Sequence, residues 1–268
     1  MDYEYTCLTV TEPIAGVKML TLNRPECLNA ISIKEASDLE HALECLRMDK
    51  ACRVVILTGA GRGFCAGTDL KEMNEFQKDP NRFENTWWLQ KKMAHVIELI
   101  RYIPQPVICA LNGAAAGGGA SFAMACDIRL AVPKAKIILS YINVGMTGAD
   151  MGASYFLPRL IGMSRSSELM LTGRPVLADE AERIGLVAKV VEPEQLIDCA
   201  LEYAQVLLGK SELGLILTKE SINSGMDAGG LNQQCHFENR NQLLCTAMGS
   251  FAEGASNFSD KKSKEEKE

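Results

Sequence analysis

The sequence predicts an α/β fold, with parallel strands covered by helices. Three observations predict it. Apolar runs at 54–58 and 107–111 read as buried strands, and each enters a glycine loop. Helical periodicity returns after each loop, giving a repeated strand, loop, helix order. From 213 to 258 only helical patterns remain, so a composition shift near Lys210 marks a helical appendage. We therefore expect a core over 1–209, a helical region over 210–259 and a charge run over 260–268. With no apolar residue, that last run is expected to be a disordered, solvated tail.

The elements follow in order. Residues 5–10 and 17–22 are β-rich runs separated by Pro13 and Gly16, and they read as a hairpin. Residues 32–46 carry Ile33, Ala36, Leu39, Ala42 and Leu46 on one helical face. A second helix is expected over 82–101, stopped by Pro104 and Pro106. A short apolar helix follows over 120–126, then strands at 128–132 and 137–139. Helical patterns at 164–171, 179–184 and 194–208 frame a last strand at 187–191.

Composition excludes several functions. The chain has 268 residues, and 28 Lys and Arg against 34 Asp and Glu give a formal charge of −6. A net acidic chain lacks the electrostatic footprint of a nucleic-acid binder. No apolar run approaches the roughly 18 residues of a membrane span. Residues 1–11 carry Asp2 and Glu4 and no basic region, so they do not read as a signal peptide. The ten cysteines form no C-x-x-C pair and read as small buried hydrophobes in a reducing, cytoplasmic setting. Only three histidines exist, His41, His95 and His236, without ligand spacing, so no metal is expected.

The glycine loops carry the chemistry. Residues 61–71 read GRGFCAGTDLK and residues 112–119 read NGAAAGGG. Such loops free backbone N–H groups in conformations that glycine reaches cheaply. The second loop opens into a helix, at the positive end of its dipole. Facing one another, two such turns can hold a carbonyl oxygen that becomes an oxyanion. The alternative is a pair of tight turns. A dinucleotide fingerprint and a P-loop are both missing.

Leu22-Asn23-Arg24-Pro25 with Leu28-Asn29-Ala30, then residues 64–71, then Ala116-Gly117-Gly118-Gly119 with Ala125-Cys126-Asp127, resemble the crotonase (enoyl-CoA hydratase/isomerase) superfamily. Leu157-Pro158-Arg159-Leu160, Leu171-Thr172-Gly173-Arg174 and residues 181–187 continue the resemblance in order. It implies a crotonase-like spiral of ββα units and a C-terminal region that assembles a homotrimer or a hexamer. It implies an acyl-CoA thioester as substrate and no metal or redox cofactor. The thioester carbonyl would be held by the N–H groups of Ala66 and Gly118. Cys27, Leu28 and Ala30 would line the CoA cleft, and Lys71 would lie near the nucleotide. Gly67, Thr68, Asp69, Leu70 and Gly117 complete the expected substrate contacts, with Ser121 and Tyr141.

The chain departs from the hydratases of that superfamily, which use two glutamates. One follows the glycine triplet by two residues, where this chain has Ser121. The other lies four residues before a glycine on the next loop, where this chain has Tyr141. Neither is an ordinary base at neutral pH, since a free tyrosine titrates near pH 10. The remaining carboxylate is Asp150, five residues before Tyr155, matching the place where isomerases of the superfamily carry their catalytic acid. One carboxylate suffices to move a proton between allylic positions. The alternative reading of Asp150 is a helix cap between Gly148 and Gly152. Tyr141 is expected as an apolar wall or a hydrogen-bond donor, and Ser121 as helix packing or a substrate contact. Asp69 is expected to cap the next helix or to pair with a base. His95 reads as a surface or core histidine, and Trp87 and Trp88 as pocket closure or core. The expected activity is double-bond isomerisation of an enoyl- or dienoyl-CoA. Hydration with an atypical water-activating set, thioester hydrolysis, decarboxylation and acyl-CoA binding without catalysis are the alternatives.

Overall fold

The computed structural model describes residues 4–251. Strand β1 (Leu8–Ile14) and strand β2 (Val17–Leu22) form the antiparallel hairpin that opens the fold. Helix α1 (Ile33–Met48) is capped by Ser32, whose side chain accepts the Glu35 N–H. Its apolar face, including Leu39, Leu43 and Leu46, is buried. Then the chain winds as a spiral in which each turn lays one strand in each of two sheets.

The first turn gives β3 (Val54–Gly59), β4 (Gly63–Cys65) and helices α2 (Leu70–Lys78) and α3 (Arg82–Tyr102). The second gives β5 (Val107–Leu111), β6 (Ala114–Ala116) and α4 (Gly118–Ala125). The third gives β7 (Ile128–Ala131), β8 (Lys136–Ile138) and helices α5 (Ala153–Ile161) and α6 (Met163–Thr172). Strand β9 (Pro175–Leu177), helix α7 (Ala178–Arg183), strand β10 (Lys189–Val190) and helix α8 (Leu196–Leu208) close the core. The larger sheet runs β1-β2-β3-β5-β7-β10, parallel from β2 onward. The smaller runs β4-β6-β8-β9, antiparallel only at β9. Every residue of β3 and β5 is buried, as expected for parallel strands covered on both faces.

Glycine permits the two layers to approach. A Cβ on Gly119, at the start of α4, would stand 2.3 Å from the Cys65 carbonyl oxygen. The glycine loop is therefore where the second turn of the spiral rests on the first.

Helices α9 (Glu212–Asp227) and α10 (Leu231–Ala247) follow the core. They dock through polar groups. The buried Lys219 ammonium donates to the Gln105 carbonyl at 2.8 Å and lies 2.8 Å from Asp127. Asp127 also pairs with Arg101 at 3.3 Å and accepts the Val107 N–H at 2.8 Å. Burial pulls the Lys219 pKa down, and the Asp127 charge opposes it. Asn223 donates to the Arg101 carbonyl at 3.2 Å. The expected boundary near 209–210 falls between α8 and α9. Residues 252–268, with the end of the expected helical region and the expected tail, lie outside the described residues.

Candidate active site

The two glycine loops meet at a cavity of about 320 Å³. The loop 66–68, α2, α3, Gly117 and the 140–150 segment wall it. Ala66, Gly67, Thr68, Leu70, Gly117, Tyr141 and Asp150 all line it. Cys27, Leu28, Ala30, Asp69, Lys71, Gly118 and Ser121 do not reach its wall. Lys71 is exposed in the first turn of α2.

The expected donor pair needs correction. The Ala66 N–H donates to the Leu28 carbonyl at 2.9 Å, so it is not free for a substrate. Thr68 takes its place. A parallel bridge pairs Ile31 with Thr68: the Ile31 N–H donates to Gly67 at 2.7 Å and the Asp69 N–H to Ile31 at 2.9 Å. In such a bridge the central residue's own N–H points away from the partner strand. Gly67 lies between Ala66 and Thr68 with φ +86°, and this left-handed turn parts their N–H directions. Among the described residues neither the Thr68 N–H nor the Gly118 N–H has a hydrogen-bond partner. A Cβ on Gly67 would stand 3.4 Å from the Gly118 nitrogen, so the two loops touch here. Gly118 opens α4, where unpaired N–H groups carry the positive end of the dipole.

Arg24 holds the 66–70 segment from behind. Its guanidinium donates to the Ala30 carbonyl at 2.6 Å and to Asp69 at 3.0 Å. Asp69 both pairs with Arg24 and caps α2, accepting the N–H groups of Lys71 and Glu72. Burial alone would raise the Asp69 pKa, yet these donors hold it below its usual value. Beneath them lies Glu35, 1% exposed, with neither carboxylate oxygen hydrogen-bonded. The Arg24 guanidinium is 3.7 Å away, too long for a hydrogen bond. Burial pushes the Glu35 carboxyl up to about 8, with Arg24 only partly opposing it.

Opposite the N–H pair stand the residues at the hydratase glutamate positions. Ser121 is fully buried and does not line the cavity, in keeping with the helix-packing reading and not with a substrate contact. Its hydroxyl lies 3.1 Å from the Tyr141 hydroxyl and donates to the Asp150 backbone carbonyl at 3.3 Å. Burial, with Asp150 nearby, pushes the Tyr141 hydroxyl well above its usual value, so it stays protonated at neutral pH.

Asp150 is half-buried, and among the described residues it is the only charged side chain on the cavity wall. It does not cap α5: the capping position is Gly152, without a side-chain bond. Its Oδ1 accepts the Met151 N–H at 2.8 Å, and its Oδ2 accepts from Gln90 of α3 at 3.2 Å. Met151 carries φ +48°, a conformation uncommon for a side chain of that size. Gln90 was not singled out by sequence, because its link to Asp150 spans 60 residues without a local signal. Trp87 and Trp88 are 52% and 63% exposed and neither close the cavity nor join the core. His95 sits on the surface between Glu44 and Glu98. Among the described residues no group of three or more His, Cys, Asp and Glu could hold a metal ion.

The enoyl-CoA hydratase/isomerase family profile matches residues 12–267. The chain is 43% identical over 237 residues to a Mycobacterium bovis protein named as a probable enoyl-CoA hydratase, echA12, covering 88% of this chain and 83% of that one. It is 36% identical over 256 residues to the 1,2-epoxyphenylacetyl-CoA isomerase of Escherichia coli, covering 92% and 94%. A solved structure described as a monofunctional enoyl-CoA isomerase from Mycobacterium smegmatis superposes with a TM-score of 0.73 at 41% identity, covering 85% of this chain and 98% of that one. A spiral of this topology, two glycine loops meeting at one cavity and a profile spanning nearly the whole chain converge: the protein belongs to the enoyl-CoA hydratase/isomerase (crotonase) family.

Proposed function

We propose that this acyl-CoA enzyme isomerises the double bond of an enoyl- or dienoyl-CoA, with Asp150 as the proton shuttle. The observation that carries the reading is that, among the described residues, Asp150 is the only carboxylate on the cavity wall. The thioester carbonyl accepts the Thr68 and Gly118 N–H groups. Asp150 takes a proton from the α or γ carbon, and the electron pair moves into the thioester as an enolate. The backbone donors hold that charge without reorganising, which is the main source of rate at such sites. Asp150 then returns the proton one allylic position away, and the carbonyl re-forms. Leu70, Met73, Leu89 and Met93 offer the acyl group an apolar wall. Cys27, Leu28, Ala30 and Lys71 would contact the CoA moiety outside this cavity. The reaction needs no cofactor, because substrate and product differ only in where one proton sits.

Hydration is the second reading, favoured by the hydratase name of the Mycobacterium bovis relative. It would need Asp150, with Tyr141 as hydrogen-bond partner, to activate water. The discriminating experiment is a panel of acyl-CoAs in heavy water, read by mass. An isomerase exchanges protons at the α and γ carbons with no gain of water. A hydratase adds the mass of water, a hydrolase releases free CoA, and an inert binder changes nothing. Addition of water as the sole product would overturn the isomerase reading.

We further propose a homotrimer or hexamer in the cytoplasm. Leu231, Leu243, Met248 and Phe251 are 69–80% exposed on the C-terminal region of the single chain, and an apolar patch of this kind supports an interface. All ten cysteines are free, which suits a reducing compartment. Among the described residues no helix is long and apolar enough to cross a membrane.

A further inference from the structure

The face of α3 toward the cavity repeats at helical spacing: Thr86, Leu89, Gln90 and Met93 all line it. Of these only Gln90 reaches Asp150. The seat of Asp150 is otherwise built from its own neighbourhood. The Met151 N–H holds Oδ1, and Ser121 holds the backbone carbonyl. The strained Met151 turn then fixes where the side chain leaves the chain. These contacts set the root of the side chain and one oxygen. Among the described residues the second oxygen is held by a single group, the Gln90 amide at 3.2 Å. Tyr141 is the other titratable group on the wall, and no charged side chain from α2, α3 or the 140–146 segment joins it there.

We infer that Gln90 is a positioning residue, orienting the Asp150 carboxylate for proton transfer; this rests on the reading of Asp150 as the base. An amide suits the task in both halves of the cycle. Its N–H₂ donates to the carboxylate before proton abstraction, and its carbonyl can turn to accept from the carboxylic acid afterwards. It adds no charge that would favour one protonation state outright. A lysine would trap the carboxylate, and a carboxylate would repel it. Fixing both oxygens keeps the free lone pairs aimed at the substrate carbons, and misorientation at this point is costly in rate.

The test uses the whole protein with 3-hexenoyl-CoA, read by 2-hexenoyl-CoA formation and deuterium uptake in heavy water. Gln90→Met keeps the bulk and removes the donor. We expect kcat to fall about tenfold, KM to change less than about twofold because CoA is not touched, and the acid limb of the kcat profile to rise by about one pH unit. Gln90→Glu should move that limb further, because two carboxylates would face each other once both ionise. A second measurement needs no turnover: ¹³C NMR titration of aspartate-labelled protein, with Asp150→Asn identifying the resonance. Gln90→Met should raise that midpoint by about one pH unit. If Asp150→Asn abolishes turnover while Gln90→Met leaves kcat, the limb and the midpoint unchanged, the role of Gln90 is overturned and the base stands. If Gln90→Met changes only thermal stability and KM, the residue is mere packing and the inference fails. If Asp150→Asn turns over at the wild-type rate, the base reading fails and the role of Gln90 fails with it.

Discussion

At the residue scale, the site separates a proton carrier from its supports. Asp150→Asn preserves shape and leaves the backbone donors in place, so acyl-CoA affinity should hold while turnover falls by roughly 10²-fold or more. Tyr141→Phe removes a hydrogen bond worth about 1 kcal/mol and should cost much less. Steady-state kinetics on both variants check this, and equal losses would contradict the division of roles. Glu35 makes a different kind of prediction. Its folded pKa is raised from 4.5 to about 8, so the fold favours the protonated form. The stability this provides is full below about pH 4.5 and is lost as pH rises toward about 8. Glu35→Gln cannot ionise. It should match the wild type near pH 4.5 and exceed it at pH 8 by on the order of a few kcal/mol. Urea unfolding at both pH values reads the difference, and parallel pH dependence in the two proteins would refute it. Not all of this was legible in sequence. The Gly67 signal was present, but the N–H partition it imposes depends on Leu28 and Ile31, which only the fold brings alongside. Glu35 reads as an ordinary first-turn acid of α1, and nothing local shows that Arg24 stands just out of hydrogen-bond range.

At the element scale, the long parallel strands and helices follow from patterning, and the short pieces do not. Strands β4, β6 and β9 have three residues each, too few for any period to register. Helix α5 was missed because Pro158 sits inside it, where proline usually stops a helix. Gly162 still accepts the continuation, donating its N–H to the Pro158 carbonyl at 2.9 Å. Helix α9 buries Leu217, Lys219 and Asn223, and Lys219 carries the one charge among them. Lys219→Ala should cost about 3 kcal/mol, because the half-buried Asp127 loses one of its two cations. The measurement is equilibrium unfolding together with hydrogen exchange, which should show α9 and α10 losing protection before β3 and β5 do. Uniform loss across all elements would argue against a separately anchored pair.

At the scale of the whole molecule, α9 and α10 reach beyond the spiral with apolar side chains that the single chain leaves in solvent. Light scattering at micromolar concentration should give the mass of three or six chains, and a monomeric mass would end the proposal. Leu243→Asp with Met248→Asp should lower the assembly state while leaving the spiral folded, because neither residue packs on the core.

The pair formed by Ser121 and Tyr141 also bears on how such a site can change over evolutionary time. Inside a nearly dry wall Ser121 gives its one proton to the Asp150 carbonyl, so the Tyr141 hydroxyl is the donor between the two. A glutamate at either position could accept from the hydroxyl that remains, but it would bring a second carboxylate beside Asp150 with little water to solvate it. A drift toward two-carboxylate chemistry therefore meets its cost at the first substitution, in the burial of a like charge and not in a broken hydrogen bond. The hydroxyl chain keeps the wall around Asp150 neutral, and that neutrality is what a single step toward a second carboxylate gives up.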